Sequence, residues 1–138
     1  MLQGVIVENK IFEKTYATHC ELIVYRAAMA GAIEIFEQAQ HFPRFEHPLL
    51  STQVIKSSRS VSANLAEARA KRRYRKAFVA RLNEVEAEAA ETYTWIEIAL
   101  SCQYLTPEVS RLLLNRYDTI LGAVSRLIQN ADSWVISS

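Results

Sequence analysis

Positive charge is concentrated in one stretch of this 138-residue chain, and the residue types there suit contacts with phosphate. Nine of the sixteen lysines and arginines lie between residues 56 and 81, where Glu67 is the one acidic residue. Six of the nine fall within the octet 69–76, and four of these six are arginines, whose planar guanidinium groups form paired hydrogen bonds with phosphate oxygens. Tyr74 lies within the octet and could stack on an unpaired base. The candidate nucleic-acid contacts are Lys56, Arg59, Arg69, Lys71, Arg72, Arg73, Tyr74, Arg75 and Lys76.

Two other interpretations of this basic stretch need no nucleic acid. The cations would form salt bridges to acidic groups of a second subunit, or they would belong to a solvated turn between two helices. The helix dipole favours anions at the start of a helix, by about 0.3–1 kcal/mol for each well-placed charge. The cations that open the predicted third helix therefore oppose its local stability, and this favours a functional role.

Other residues with catalytic or metal-binding chemistry do not form a recognisable site. Glu84, Glu88 and Glu91 share one helix face, but two-metal carboxylate sites in bundles also use Glu-x-x-His pairs, which this sequence lacks. Asn64 and Glu67 are spaced to touch on a helix, and we expect them to hold the end of the second helix by hydrogen bonds to the following turn. Because there is also no phosphate-binding glycine loop and no nucleophile constellation, we expect no enzymatic activity, metal, cofactor or small-molecule substrate.

The composition favours long helices and no membrane span. Half of the residues are hydrophobic, and only three are glycine and three proline. No run of eighteen apolar residues occurs, and the N-terminus lacks the cationic start and apolar stretch of a signal peptide. We therefore expect a cytoplasmic protein with reduced cysteines.

Apolar residues at steps of three and four predict four helices. The four predicted core stripes are Leu22, Tyr25, Met29, Ile33, Phe36 and Ala39; Leu50, Val54, Ser58, Val61, Leu65 and Ala68; Tyr74, Phe78, Leu82, Val85, Ala89, Ile96 and Leu100; and Val109, Leu113, Tyr117, Ile120, Val124, Leu127 and Ala131. Thr106 followed by Pro107 predicts the start of the fourth helix, since a hydroxyl caps it and proline suits its first position. The expected fold is an all-α, antiparallel up-and-down four-helix bundle over residues 15–138. Residues 1–14 would form an N-terminal extension with little order.

The boundary between the second and third helices is the least marked in the sequence. No glycine or proline lies between Val54 and Thr106. The octet is the expected break, because like charges at that density repel one another within a helix. A single bent helix of some fifty residues is the alternative, although such lengths are rare in globular domains.

The second helix resembles that of a known family. The run Val61-Ser-Ala-Asn-Leu-Ala-Glu67, followed by a basic stretch and Phe78, is similar to the four-helix-bundle family of 23S rRNA intervening-sequence proteins. The similarity covers roughly residues 15–127. It implies a small cytoplasmic bundle, commonly a homopentamer, with no known catalysis, whose genes often lie in insertions within ribosomal RNA genes. A related branch, the accessory variability determinant proteins of retroelements, binds nucleic acid. Ala68 stands where the family usually has glycine, so we expect the second turn to be built differently.

The end of the third helix predicts a homo-oligomer. Its apolar residues cover most of the helix circumference, and a helix that is apolar all round is buried on more than one side. We expect one side to face a second subunit, with a pentamer implied by the resemblance. The candidate interface residues are Tyr93, Trp95 and Ile98.

These observations predict a non-enzymatic, oligomeric helical bundle that binds nucleic acid through a basic rim. We expect RNA to be preferred over DNA, with backbone contacts and little sequence readout. The alternative is an oligomeric adaptor whose charged rim docks a protein partner such as a polymerase.

Overall fold

Four long helices make up the molecule, and no strand occurs in the part of the chain that the structure describes. The computed structural model describes residues 12–134, with side chains for residues 21–132. The helices are α1 (Phe12–Ala39), α2 (Thr52–Ala70), α3 (Arg75–Ser101), α4 (Pro107–Gln129) and a short α5 (Ala131–Trp134). A 3-10 turn (Arg44–Glu46) and a π-helical turn (His47–Ser51) join α1 to α2. The all-α prediction is confirmed, while most of the extension predicted for residues 1–14 lies outside the described residues.

Each long helix packs beside its neighbours in sequence, and α1 also packs against α4. α1 and α3 therefore lie at diagonal corners of an up-and-down bundle and run in the same direction. We call the end that carries the α2–α3 connection the turn end. The opposite end carries the α1–α2 and α3–α4 connections, and we call it the loop end.

Two predicted helix boundaries, the break between α2 and α3 and the start of α4, agree with the structure. α2 ends at Ala70 and α3 begins at Arg75, so the chain breaks within the octet rather than continuing as one bent helix. Thr106 caps α4 as predicted, because its Oγ1 accepts a hydrogen bond of 3.1 Å from the backbone N–H of Val109. None of the helices within residues 12–134 has the length and hydropathy that a membrane crossing requires.

The core faces of α2 and α4 follow the predicted stripes, and so does that of α3 beyond its first turn. Small side chains on α2 let α3 approach closely: Ser57 and Ser58 are buried, and Ser57 Oγ lies 2.8 Å from Oγ1 of Thr92 on α3. Tertiary packing thus places α2 where serine-rich sequence has poor helix propensity. Tyr74, which was predicted as part of the α3 stripe, is the exception, since it precedes α3 and is exposed.

The face that α1 turns towards the core differs from the predicted stripe. Of the predicted residues, Met29, Ile33 and Phe36 are 39–55% exposed. The physical reason is the volume of the neighbouring helix. Tyr117 of α4 fills the space beside α1, and a side-chain atom at Gly31 would lie only 2.6 Å from its hydroxyl. α1 therefore buries its face of mostly small residues, which consists of Val24, Ala28, Gly31, Ile35 and Ala39.

Candidate nucleic-acid interface

The turn between α2 and α3 comprises residues 71–74 and needs no glycine. The backbone N–H of Lys71 donates to the carbonyls of Glu67 and Ala68 at 3.1 and 3.0 Å, and that of Tyr74 donates to Lys71 at 3.0 Å. Tyr74 is extended, with φ −118° and ψ 106°, and this directs the chain into α3. Ala68 itself is buried within α2, and no residue of the turn has a positive φ.

Arg72 anchors the turn to α1 instead of facing solvent. Its Nη1 donates to Oε2 of Glu21 at 2.9 Å, and the two side chains are only 13% and 9% exposed. Burial raises the pKa of the Glu21 carboxyl, while the hydrogen bond and charge of Arg72 and the charge of Arg69 act in the opposite direction. The Nε of Arg72 is buried without a hydrogen-bond partner in the described part of the chain. Arg72 therefore has a structural role, and it is not available for contact with a ligand.

Arg75 joins the start of α3 to the short helix α5. Its Nε donates to Oδ1 of Asp132 at 2.6 Å. Both side chains are exposed, and exposed pairs of this kind stabilise a protein by about 0.2–1 kcal/mol. Arg75 thus stays on the surface, but an acidic group already faces it.

Asn64 and Glu67 bind α3, which is a different partner from the one the sequence predicted. Nη1 of Arg81 donates to Oδ1 of Asn64 at 3.0 Å and lies 3.2 Å from Oε1 of Glu67. The amide of Asn64 also donates to the backbone carbonyl of Ser60 at 2.9 Å, and this fixes its orientation. Because Arg81 pairs with Glu67, the one acid of the basic stretch does not offset the charge of the turn.

The turn leaves four cations and one aromatic ring exposed: Arg69, Lys71, Arg73, Lys76 and Tyr74. Among the side chains of residues 21–132, no carboxylate lies within ion-pair distance of any of these four cations. Tyr74 is 65% exposed. Such a surface can contact phosphates through its cations and stack a base on its ring. We call this surface the turn cluster, and it consists of Arg69, Lys71, Arg73, Tyr74 and Lys76.

Lys56 and Arg59 are not part of the turn cluster. They precede Lys71 by fifteen and twelve residues, which corresponds to about 18–22 Å along a helix. Cζ of Arg59 lies 5.3 Å from the centroid of the Phe36 ring on α1. Lys56 lies near Glu88 of α3 and lowers the pKa of that carboxyl. Both cations therefore interact with neighbouring helices.

An acidic face lies on the outer side of α3. Glu84 and Glu91 are exposed, and Glu88 is half-buried between them. Burial raises the pKa of Glu88, and the charges of Glu91 and Glu84 raise it further. Within the described residues, no three His, Cys, Asp or Glu side chains are grouped so that they could hold a metal ion. We call Glu84, Glu88 and Glu91 the α3 acidic face.

Two of the three residues predicted at a subunit interface pack mainly within their own subunit. Tyr93 and Trp95 pack against the core of their own bundle. The Trp95 indole also donates to Glu91 at 3.2 Å. Ile98 is 39% exposed and is the one that leaves an apolar surface open.

The structure exposes a second apolar surface, on α1, that was not predicted from the sequence. Four large apolar side chains of α1 are exposed, although the stripe prediction placed three of them, Met29, Ile33 and Phe36, in the core and gave no role to Ile23. A sequence signal for this surface exists, since the apolar residues of α1 are distributed around the whole helix. We call this surface the outer face of α1, and it consists of Ile23, Met29, Ile33 and Phe36.

Comparisons with known proteins agree with this architecture. The profile of the family described as 23S rRNA-intervening sequence protein matches residues 20–126. A similar solved structure is a protein of unknown function from the S23 ribosomal protein family of Bacteroides thetaiotaomicron VPI-5482. It has 25% sequence identity and a TM-score of 0.72, over 80% of this chain and 99% of that chain. No curated protein matches. The chain therefore belongs to the 23S rRNA-intervening sequence protein family.

Proposed function

We propose that this protein binds nucleic acid, RNA in preference to DNA, through the turn cluster. The observation that carries the proposal is the division of the basic turn into two groups of cations. Arg72 is held in a buried ion pair, whereas Arg69, Lys71, Arg73 and Lys76 stay exposed around one turn. Cations grouped in this way gain free energy by releasing counterions from a phosphate backbone.

Two observations support the preference for RNA. The family description refers to 23S rRNA. In addition, the exposed ring of Tyr74 lies among the cations of the turn. Single-stranded loops and ends present unpaired bases that stack on aromatic side chains, and RNA recognition commonly targets such regions.

We further propose that the protein acts as a homo-oligomer, with a pentamer preferred. This rests on the exposed apolar side chains of α1 and on Ile98, because soluble monomers avoid large apolar patches. Each subunit would contribute its own turn cluster to the assembly. Several weak clusters that engage one RNA strand bind more tightly than one cluster alone.

Two double variants with the same change in net charge test the role of the turn cluster. Lys71→Glu/Arg73→Glu reverses two of its cations, and Arg44→Glu/Arg111→Glu reverses two exposed cations at the loop end. Arg72 is left unchanged, because replacing it would disturb the fold. We expect the turn variant to bind a labelled single-stranded RNA at least about tenfold more weakly by fluorescence anisotropy, because it loses phosphate contacts. The loop-end variant should bind like the wild type.

Circular dichroism and light scattering should show that both variants keep the wild-type fold and mass. Equal, weak binding by the wild type and both variants would reject the nucleic-acid proposal. It would favour the alternative, in which the charged rim docks a protein partner.

Substitution of Tyr74 tests the stacking contribution separately from charge. Tyr74→Ala should weaken RNA binding by about 1–3 kcal/mol, the usual cost of losing one base–aromatic stack. Tyr74→Phe keeps the ring and should bind like the wild type. If both variants bind equally well, the ring makes no contact with a base.

A further inference from the structure

We infer that the outer face of α1 docks onto the α3 acidic face and Ile98 of a second copy of this chain, in a head-to-tail contact. The inference rests on the self-association proposed above, and it names the two surfaces that would make that contact.

The outer face of α1 is exposed in the single subunit, but its side chains are apolar like those of a buried surface. Met29, Ile33 and Phe36 follow one another at i, i+4 and i+7, so they form a continuous stripe on one side of the helix. All three are at least 39% exposed in the single subunit. Because the opposite side of α1 is also apolar and buried in the core, the helix matches the pattern of one that is covered on both sides.

Cations border this apolar stripe. Arg59 of α2 is exposed and lies over the ring of Phe36, and Arg26 is exposed on α1 between Ile23 and Met29. Glu37 is the exposed acid on the same part of α1. The surface is therefore apolar in the middle and positive on balance at its rim.

The outer side of α3 has the complementary charge. Glu84 and Glu91 are exposed with the half-buried Glu88 between them, and Lys56 is the cation that acts on Glu88. Towards the loop end, the same side of the helix carries the exposed Ile98. The positive rim of the α1 face therefore complements the acidic side chains of α3, and its apolar stripe complements Ile98. Charge complementarity of this kind selects partners and fixes their register.

The charges favour the contact of unlike faces over the contact of like faces. A two-fold contact of α1 with α1 would bring the exposed Arg26 and Arg59 of both copies together. A two-fold contact of α3 with α3 would do the same for Glu84 and Glu91. Juxtaposed like charges cost free energy, so the two-fold arrangements are disfavoured.

The positions of the two faces in the bundle suit such an assembly. α1 and α3 lie at diagonal corners, so one subunit can use both faces at the same time. A head-to-tail contact of this kind generates a ring when its rotation closes. Because α1 and α3 run in the same direction, neighbours that meet with these helices parallel would carry their turn clusters on one side of the ring.

Single substitutions to glutamate test the inference. Ile33→Glu adds a negative charge to the outer face of α1, and Ile98→Glu adds one beside the α3 acidic face. Leu112→Glu is the control, because Leu112 is 58% exposed on α4, outside both faces. We expect light scattering to show the wild-type mass for the control and a monomer for each of the other two variants at micromolar concentration. Met29→Glu is a second variant of the α1 face and should behave like Ile33→Glu.

Mixing the two monomeric variants gives the decisive result. Ile33→Glu keeps an intact α3 face, and Ile98→Glu keeps an intact α1 face. An equimolar mixture should therefore form a one-to-one dimer, whereas neither variant forms a dimer alone. Circular dichroism with wild-type helix content establishes that each variant is folded.

Three outcomes would overturn the inference. Wild-type mass for both α1 variants would show that this face is not an interface. A mixture that stays monomeric would show that the two faces do not bind one another. A monomeric wild type would overturn the proposed self-association as well, but it would leave the nucleic-acid proposal to the turn-cluster variants.

Discussion

Arg72 and Arg73 are adjacent in the sequence, yet their side chains meet opposite environments. Arg72 enters a buried ion pair with Glu21, which lies 51 residues away, whereas Arg73 is exposed in the turn cluster. Removing one partner of a buried pair leaves a charge that neither water nor a counterion solvates. Substitution of an exposed cation removes no such contact.

This difference predicts that Arg72→Gln destabilises the protein and Arg73→Gln does not. We expect Arg72→Gln to lower the free energy of unfolding by about 3 kcal/mol, because Glu21 stays buried and unpaired. Arg73→Gln should stay within about 0.5 kcal/mol of the wild type. Urea denaturation followed by circular dichroism, at one protein concentration, measures both. Equal effects of the two substitutions would show that the ion pair with Glu21 does not stabilise the turn.

Tyr104 at the loop end gives a prediction about alkaline pH. Its hydroxyl donates to Oε2 of Glu46 at 2.8 Å, and this hydrogen bond, together with burial, raises the pKa of Tyr104 from 10.0 to about 12. Since the folded pKa lies above the unfolded one, the fold prefers the neutral phenol. The stability from this group is therefore complete below pH 10.0 and is lost as the pH rises through about 12.

Glu46→Gln should move the pKa of Tyr104 back towards 10.0, because it removes the charge that opposes ionisation. The amide still offers an oxygen to the backbone N–H of Leu50, which Glu46 accepts in the wild type. Ultraviolet absorbance of tyrosinate during an alkaline titration measures the change, and Tyr104→Phe identifies which signal belongs to this residue. An unchanged titration curve would contradict the assigned cause.

At the scale of the helices, the contact between α1 and α4 depends on one glycine. A Cβ atom at Gly31 would lie 2.6 Å from the hydroxyl oxygen of Tyr117 and 2.9 Å from its Cζ. The Tyr117 hydroxyl is buried and has no hydrogen-bond partner in the described part of the chain. The close approach of α1 and α4 therefore depends on steric fit, because the Tyr117 hydroxyl contributes no hydrogen bond to the contact within the described residues.

Gly31→Ala should destabilise the protein by about 1–3 kcal/mol through overpacking against Tyr117. Gly122→Ala is the matched control on α4, where the nearest contact would be Nη1 of Arg126 at 3.6 Å, so it should stabilise by about 0.5–1 kcal/mol. Thermal denaturation measures both changes.

A double variant tests the contact directly. Tyr117→Phe removes the clashing oxygen, so the Gly31→Ala/Tyr117→Phe variant should lose less stability than the sum of the two single changes. Additive losses would mean that Gly31 is required for another reason.

The choice of face on α1 illustrates why periodicity alone is an incomplete guide to burial. The apolar residues of α1 are distributed around the whole helix, so the sequence marks no single face as the buried one. The bundle buries the stripe of mostly small residues, because the large side chains of neighbouring helices already occupy the interior. α2 and α4 each carry one dominant stripe, and for them the prediction is confirmed.

For the whole molecule, the distribution of charge matters more than the formal net charge of +1. The turn end carries the exposed cations of the turn cluster, while the acidic face lies along α3. The proposed RNA contact is ionic, whereas the proposed subunit contact buries apolar side chains of α1 and Ile98 as well as pairing unlike charges. Salt should therefore act on the two contacts to different degrees.

Raising the salt concentration should release RNA while the oligomer persists. If all four cations of a turn cluster contact phosphates of a single strand, the slope of log K against log salt should approach about −3 for each subunit engaged. Anisotropy gives the slope, and light scattering at the same salt concentrations gives the mass. A mass that falls in parallel with RNA affinity would indicate a mainly ionic subunit contact instead.

The sequence by itself determined the helices and the position of the break between α2 and α3. Those features depend on residues close together in the chain: the repeat of apolar side chains, the cap at Thr106 and the mutual repulsion of charges in the octet. The sequence also located the basic stretch, because charge is a property of each residue type.

Only the tertiary structure decided which of those cations are available and which face of α1 is covered. Arg72 is buried because α1 places Glu21 beside it, and Arg81 is paired because α2 presents Glu67 and Asn64 to it. These partners lie at least 14 residues apart in the chain, so no local pattern contains them. Burial and pairing depend on what a neighbouring helix brings to the same point, and that is settled only when the bundle packs.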